Sequence, residues 1–304
     1  MTASTPLPRP TAMLVLAAVA CGFAANHVAA RLAFDNGTGL LTAILCRAGL
    51  TLLVLALLVA WRRDALGLPP PARRWQLVLG LLIAVQSLCL YSAVARIPVA
   101  LALLVSNSFP ILLALLTWAS GGARPTRAAW GVMGIILVGL LLALDVPARL
   151  AEARGAAGDG TAWGEGIGFA LGAAVAFALS IWVTDKHLRA LPGAVRSLYT
   201  MGTVCISMAL AGLAGLVPGG LAWPQDATGW TGLACLMALY CTAFIVLFIL
   251  VPRLDMARNA PVMNMEPVAT LLFGWLVLGQ WISPLQMAGG LVVLSGIVLL
   301  SRLK

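Results

Sequence analysis

Arg96, Asn107, Pro110, Trp118 and Gly122 recur 157 residues later as Arg253, Asn264, Pro267, Trp275 and Gly279, with no gap between the two series. A block repeated with its amide, its proline and its flanking charge in place marks a duplicated chain. Both copies set an asparagine and a proline inside an apolar run. Proline removes a backbone donor and frees a carbonyl about a turn earlier. At membrane depth, such a carbonyl is tolerated only against protein or beside a water-filled cavity. Helix breakers at matched positions of two halves are how membrane transporters with a midplane site are built.

The composition agrees with a membrane chain. Of 304 residues, 62% are hydrophobic and 10% are charged. Soluble domains average about 25% charged residues, so a normal water-facing surface is excluded. Apolar runs recur at about the 20 residues needed to cross ~30 Å of hydrocarbon. Ten spans are expected, near 12–33, 40–61, 76–95, 99–118, 129–144, 163–184, 197–217, 230–251, 257–278 and 284–301. The first is expected to remain as a helix and not to be cleaved as a leader, because its run continues to Phe34. The segment 145–162 is the seam between two five-helix halves, 1–155 and 156–304.

The net charge of +9 does not indicate nucleic acid, because the basic residues lie in short connectors between apolar runs. Assigned alternately, fourteen Lys and Arg fall on one side and four on the other, with Arg47 inside a span. That bias places both termini in the cytoplasm. Five helices per half then give the halves opposite topology. The fold class is therefore all-α integral membrane, ten transmembrane helices in two inverted five-helix repeats around a central cavity. Six cysteines fall inside apolar runs with no CxxC pair, as small packing residues do. Gly164, Gly168 and Gly172 repeat every fourth position, a face suited to close helix packing or to sliding.

Polar groups at depth need a physical reason to be there. Arg47, near the middle of the second span, costs about 2.5–3.5 kcal/mol on insertion scales and must face a partner or water. Asn26 and His27 lie in the first helix. Histidine is the side chain whose ordinary titration lies nearest working pH, which makes His27 a proton-coupling candidate beside a plain hydrogen-bonding role. Glu266 is the acid set well inside a span, and stays ionised there only beside a cation or backbone donors. It either couples and gates or caps a broken helix. Asn107 and Asn264 serve the backbone broken at Pro110 and Pro267, or a ligand. Tyr91, Trp118, Trp182, Tyr199, Tyr240 and Trp275 are candidate lining. The other tryptophans sit near span ends as interface anchors. No phosphate-cradling loop, metal-ligand cluster, hydrolytic triad or ATPase domain can be read. The expectation is a gradient-driven transporter, not an enzyme, with no cofactor.

Glu266-Pro-Val, Leu278-Gly279, Gln286-Met-Ala-Gly-Gly290 and Ser295-Gly296 resemble the closing signature of EamA-type members of the drug/metabolite transporter superfamily. Pro110-Ile-Leu, Gly121-Gly122, Arg124-Pro-Thr, Trp130-Gly131 and Gly139 repeat it in the first half. Within that superfamily the chain looks most like the YddG-type exporters of aromatic and other amino acids. The resemblance implies a basket of helices around a central cavity, lined from helices 1, 3, 4, 6, 8 and 9. Carried onto this sequence, it makes Asn26, His27, Tyr91, Asn107, Trp182, Tyr240 and Asn264 substrate-binding candidates. Arg47, Glu266, Pro110 and Pro267 are the gating or coupling candidates. Gln280 stands where the family commonly has an acid, and Cys21 where it commonly has a tryptophan.

The resulting expectation is a monomeric secondary transporter of the bacterial inner membrane, exporting amino acids by alternating access, its partners being a small-molecule substrate and the lipid bilayer. The alternatives are an exporter of purines, drugs or other metabolites, and more remotely a membrane-embedded lipid enzyme or assembly factor.

Overall fold

The computed structural model describes residues 7–121, 124, 126–143, 159–250, 262 and 265–302. Eleven α-helices account for its regular structure: α1 (Arg9–Asp35), α2 (Leu40–Arg62), α3 (Pro70–Arg96), α4 (Val99–Ser106), α5 (Phe109–Ala119), α6 (Arg127–Ala143), α7 (Asp159–His187), α8 (Gly193–Leu213), α9 (Ala227–Leu250), α10 (Met265–Leu278) and α11 (Pro284–Arg302). Helices α4 and α5 together make one interrupted span, Val99–Ala119. Among the described residues, seven spans are long and apolar enough to cross a membrane, and α6, α10 and α11 are shorter apolar helices.

Proline sets several of the starts. Pro10, Pro70, Pro110 and Pro284 occupy the first two positions of α1, α3, α5 and α11. There the missing N–H would have had no intrahelical partner anyway. The break expected at Pro110 thus falls just ahead of the proline. The fourth span stops at Ser106, turns through Asn107 and Ser108, and restarts at Phe109 with Pro110 in its first turn. Pro267 likewise stands in the first turn of α10. The residues before it in the ninth expected span lie outside the described residues. Gly121 and Gly279 close α5 and α10 with φ of 88° and 61°, a conformation glycine adopts without penalty.

The extensive helix pairings cross between the halves. Helix α1 packs on α9 and α10, α7 on α3, α4 and α5, α2 on α8 and α9, α3 on α8, α4 on α10, and α6 on α11. Exchanging each helix for its counterpart in the other half turns this set into itself. The α1–α9 pair becomes α7–α3, α1–α10 becomes α7–α4, and α2–α8 and α6–α11 map onto themselves. Two cores result. One is built on Val94, Ile97, Leu101, Val105, Ile136 and Val293, the other on Ala30, Ile44, Leu55, Tyr91, Met208 and Leu236.

Lipid gives helices no hydrophobic drive to associate, so close backbone approach matters more than apolar area. The contact of α1 with α9 is the tightest case. A Cβ added at Gly232 would lie 2.9 Å from the Ala33 amide nitrogen and 3.1 Å from the Ala29 carbonyl oxygen, both backbone atoms. The stripe read at Gly164, Gly168 and Gly172 is not such a face. Space around Gly164 and Gly168 is open, and only Gly172 meets a neighbour, Cys89. Gly166, off the stripe, is the α7 glycine pressed against Ile97. Gly232→Val should therefore destabilise the purified protein by about 1–3 kcal/mol, read as a lower melting temperature in lipid–detergent micelles, while Gly164→Val leaves it unchanged.

Candidate functional site

Polar side chains from both halves meet where α1, α2, α3, α9 and α10 converge. Helix α1 supplies Asn26 and His27, α2 supplies Arg47, α3 supplies Ser87 and Tyr91, α9 supplies Tyr240 and α10 supplies Glu266. Ser87 and Tyr91 are four residues apart, so they share a face of α3. Arg47 is the eighth residue of α2, about 10 Å along the helix from its start.

Arg47 is 5% exposed. Its Nη2 donates to Ser87 Oγ at 2.9 Å. The guanidinium carbon lies 4.1 Å from the Tyr240 ring centroid and 4.7 Å from that of Tyr91. A desolvated cation–π contact contributes about 2 kcal/mol. Two such contacts and a charge-assisted hydrogen bond are enough to offset the few kcal/mol that a central arginine costs. Protein aromatic faces thus solvate this charge in place of water. Phe23 meets Tyr240 edge-on at 5.9 Å and Phe244 stacks on it at 5.6 Å, holding that ring. Phe34 meets Tyr91 edge-on at 5.6 Å.

Glu266 occupies the first turn of α10, where the positive end of the helix dipole favours a carboxylate. Its Oε1 is 3.5 Å from His27 Nε2, an ion-pair distance too long for a good hydrogen bond. The contact ties the first half to the second. His27 also meets Tyr91 edge-on at 6.2 Å.

Several buried polar atoms here have no hydrogen-bond partner: both amide atoms of Asn26, the Tyr91 hydroxyl, His27 Nδ1 and Arg47 Nε. Asn26 and Tyr91 are fully buried, and the Tyr91 hydroxyl faces Asn26 and Arg47. Each unpaired buried group costs about 1–3 kcal/mol. Proteins rarely accept that in one place without a use for it. The cluster thus gathers an arginine, an amide, an imidazole, a carboxylate and two tyrosine rings from five helices.

Asn26, His27, Arg47, Tyr91, Tyr240 and Glu266 are thus brought together, and other expected residues are not. Asn107 caps α4, its Nδ2 donating to Leu103 O at 2.9 Å, so its amide serves the broken backbone. Asn264 lies outside the described residues. Trp182 belongs elsewhere: its Nε1 donates to Ser120 Oγ at 3.0 Å, and it meets His187 edge-on beside Trp75. It lies near the end of α7, among residues from the start of α3 and the end of α5, so helix length carries it away from the cluster. Trp118 and Trp275 are exposed on the outer surface. The Tyr199 hydroxyl donates to Leu66 O in a connector. Pro110 starts α5, and Pro267 lines an apolar groove of about 200 Å³ between α4, α10 and α11.

Two partners escaped the sequence reading. Ser87 was signalled only by its i, i+4 spacing from Tyr91. Gln280 accepts a 3.2 Å hydrogen bond from the Val99 amide, capping the start of α4 from the other half. That role suits the side-chain oxygen of an amide.

A solved crystal structure of a protein shares 21% identity with this chain, covers 95% of it and 96% of its own length, and superposes with a TM-score of 0.57. At that identity the likeness is one of fold. The model of the EamA-like transporter family matches twice, at residues 10–144 and 164–302, flanking the segment read as the seam. Two family domains spanning nearly the whole length settle the matter: the chain belongs to the EamA-like transporter family, and is a multi-pass membrane transporter of small molecules.

Proposed function

We propose that the chain exports amino acids, aromatic and other large neutral ones among them, across the bacterial inner membrane by alternating access. The observation that carries this reading is the cluster itself. It sets a cation, Arg47, against the Tyr91 and Tyr240 rings and an acid, Glu266, against His27, at the junction of the two halves. A zwitterion with an apolar side chain complements such a lining.

Alternation follows from two inverted halves rocking about that junction. The exchange symmetry of the helix pairings supports a two-fold relation between halves. The fourteen-to-four bias in Lys and Arg supports cytoplasmic termini, and five spans per half then make the repeat inverted. The His27–Glu266 contact joins the halves and is the natural place for a gate that a proton or the substrate opens.

Proteoliposomes loaded with unlabelled phenylalanine should accumulate labelled phenylalanine by counterflow well above empty vesicles. Flux no greater than in empty vesicles, or competition by a purine instead, sinks the amino-acid reading. The pH profile of transport should differ from that of the wild type in Glu266→Gln and in His27→Ala. An unchanged profile in both variants removes the pair as the coupling element. A reporter enzyme active only outside the cytoplasm, fused after Lys304, should give no signal.

A further inference from the structure

We infer that Arg47 is a carboxylate site, and that a carboxylate, not an ammonium group, is what a ligand must carry to bind this cluster. The inference rests on reading the cluster as the transport site. Among the described residues, the acids in ion-pair range of a cation face His27, Arg31, Arg96 and Arg189, and none faces Arg47. Glu266, the acid of the cluster, is engaged by His27. Arg47 is therefore a buried cation with no carboxylate in ion-pair range among the described residues.

The hydrogen-bonding inventory points the same way. The Tyr91 and Tyr240 rings lie over the guanidinium, and face contacts of that kind leave its N–H edge for other partners. At that edge Nη2 reaches Ser87, while Nε donates to nothing in the protein. The fully buried Asn26 amide adds a further donor, with the Tyr91 hydroxyl lying against it and against Arg47. Donors from α1, α2 and α3 thus converge on one place. A carboxylate is an acceptor-only, planar group that an arginine edge binds through parallel N–H bonds. An amine would have to find its acceptors, Asn26 Oδ1 and the Glu266 carboxylate already engaged by His27, beside a fixed positive charge. The aromatic residues around Tyr240, Phe23 and Phe244, suit the apolar part of such an acid. Deaminated acids should therefore be ligands, and amines of the same shape should not.

The test is equilibrium binding of labelled 3-phenylpropionate, which has a carboxylate and no amine, to the full-length chain in nanodiscs. Unlabelled phenylalanine and phenylalaninol, which has the amine and no carboxylate, serve as competitors. Saturable binding is expected, displaced by phenylalanine and at least about thirtyfold more weakly by phenylalaninol, the scale for removing one partner of a buried charge pair. Arg47→Gln should lose binding by a similar factor, and Arg47→Lys, which keeps the charge, should recover part of it. Phenylalaninol competing as well as phenylalanine overturns the inference in the wild-type protein, whatever the variants do. So does Arg47→Gln binding as the wild type does. If amino acids cross proteoliposomes but 3-phenylpropionate does not bind, the carboxylate site fails and the amino-acid reading stands. If 3-phenylpropionate binds through Arg47 while no amino acid crosses, the amino-acid reading fails and the carboxylate site stands.

Discussion

A guanidinium inside a membrane bundle has to be solvated by protein, and the arrangement around Arg47 follows from that need. Ser87 and Tyr91 must share the face of α3 that meets α2, and Tyr240 must come across from the second half on α9. Those requirements fix how α2, α3 and α9 are rotated. They also bring the second half against the first at this cluster. The cluster is thus a device for tolerating charge before it is anything else. Its chemistry follows from how little of that charge the protein itself neutralises.

The fold could largely be read from the chain because its determinants are local and periodic. Apolar runs of spanning length, a 157-residue register and prolines at matched positions do not depend on knowing what touches what. The site was legible only in part. Asn26, His27, Arg47, Tyr91, Tyr240 and Glu266 stood out because polar groups at depth are costly, and the structure brings all six together. Trp182 and Trp118 failed because an aromatic ring is equally at home at the interface, in the core or in a cavity wall. Only the position along the helix and the partner decide, as Ser120 and His187 do for Trp182. The glycine stripe at Gly164, Gly168 and Gly172 failed for a related reason. Periodicity tells which residues share a face, and nothing about which way the face points.

The symmetric scaffold carries an asymmetric site. In the ungapped block the position matching Glu266 is Phe109, which meets Phe177 edge-on at 4.7 Å. Where the second half places a carboxylate next to α1, the first half places an aromatic ring next to α7. The prolines that follow, Pro110 and Pro267, keep the same task of beginning a helix. Duplication therefore preserves what the backbone requires and leaves the neighbouring position free to diverge. Two halves that pack alike need matched backbones, whereas recognition of a small asymmetric molecule needs unlike walls. Keeping the breakers and changing the residue before them satisfies both demands at one turn of one helix.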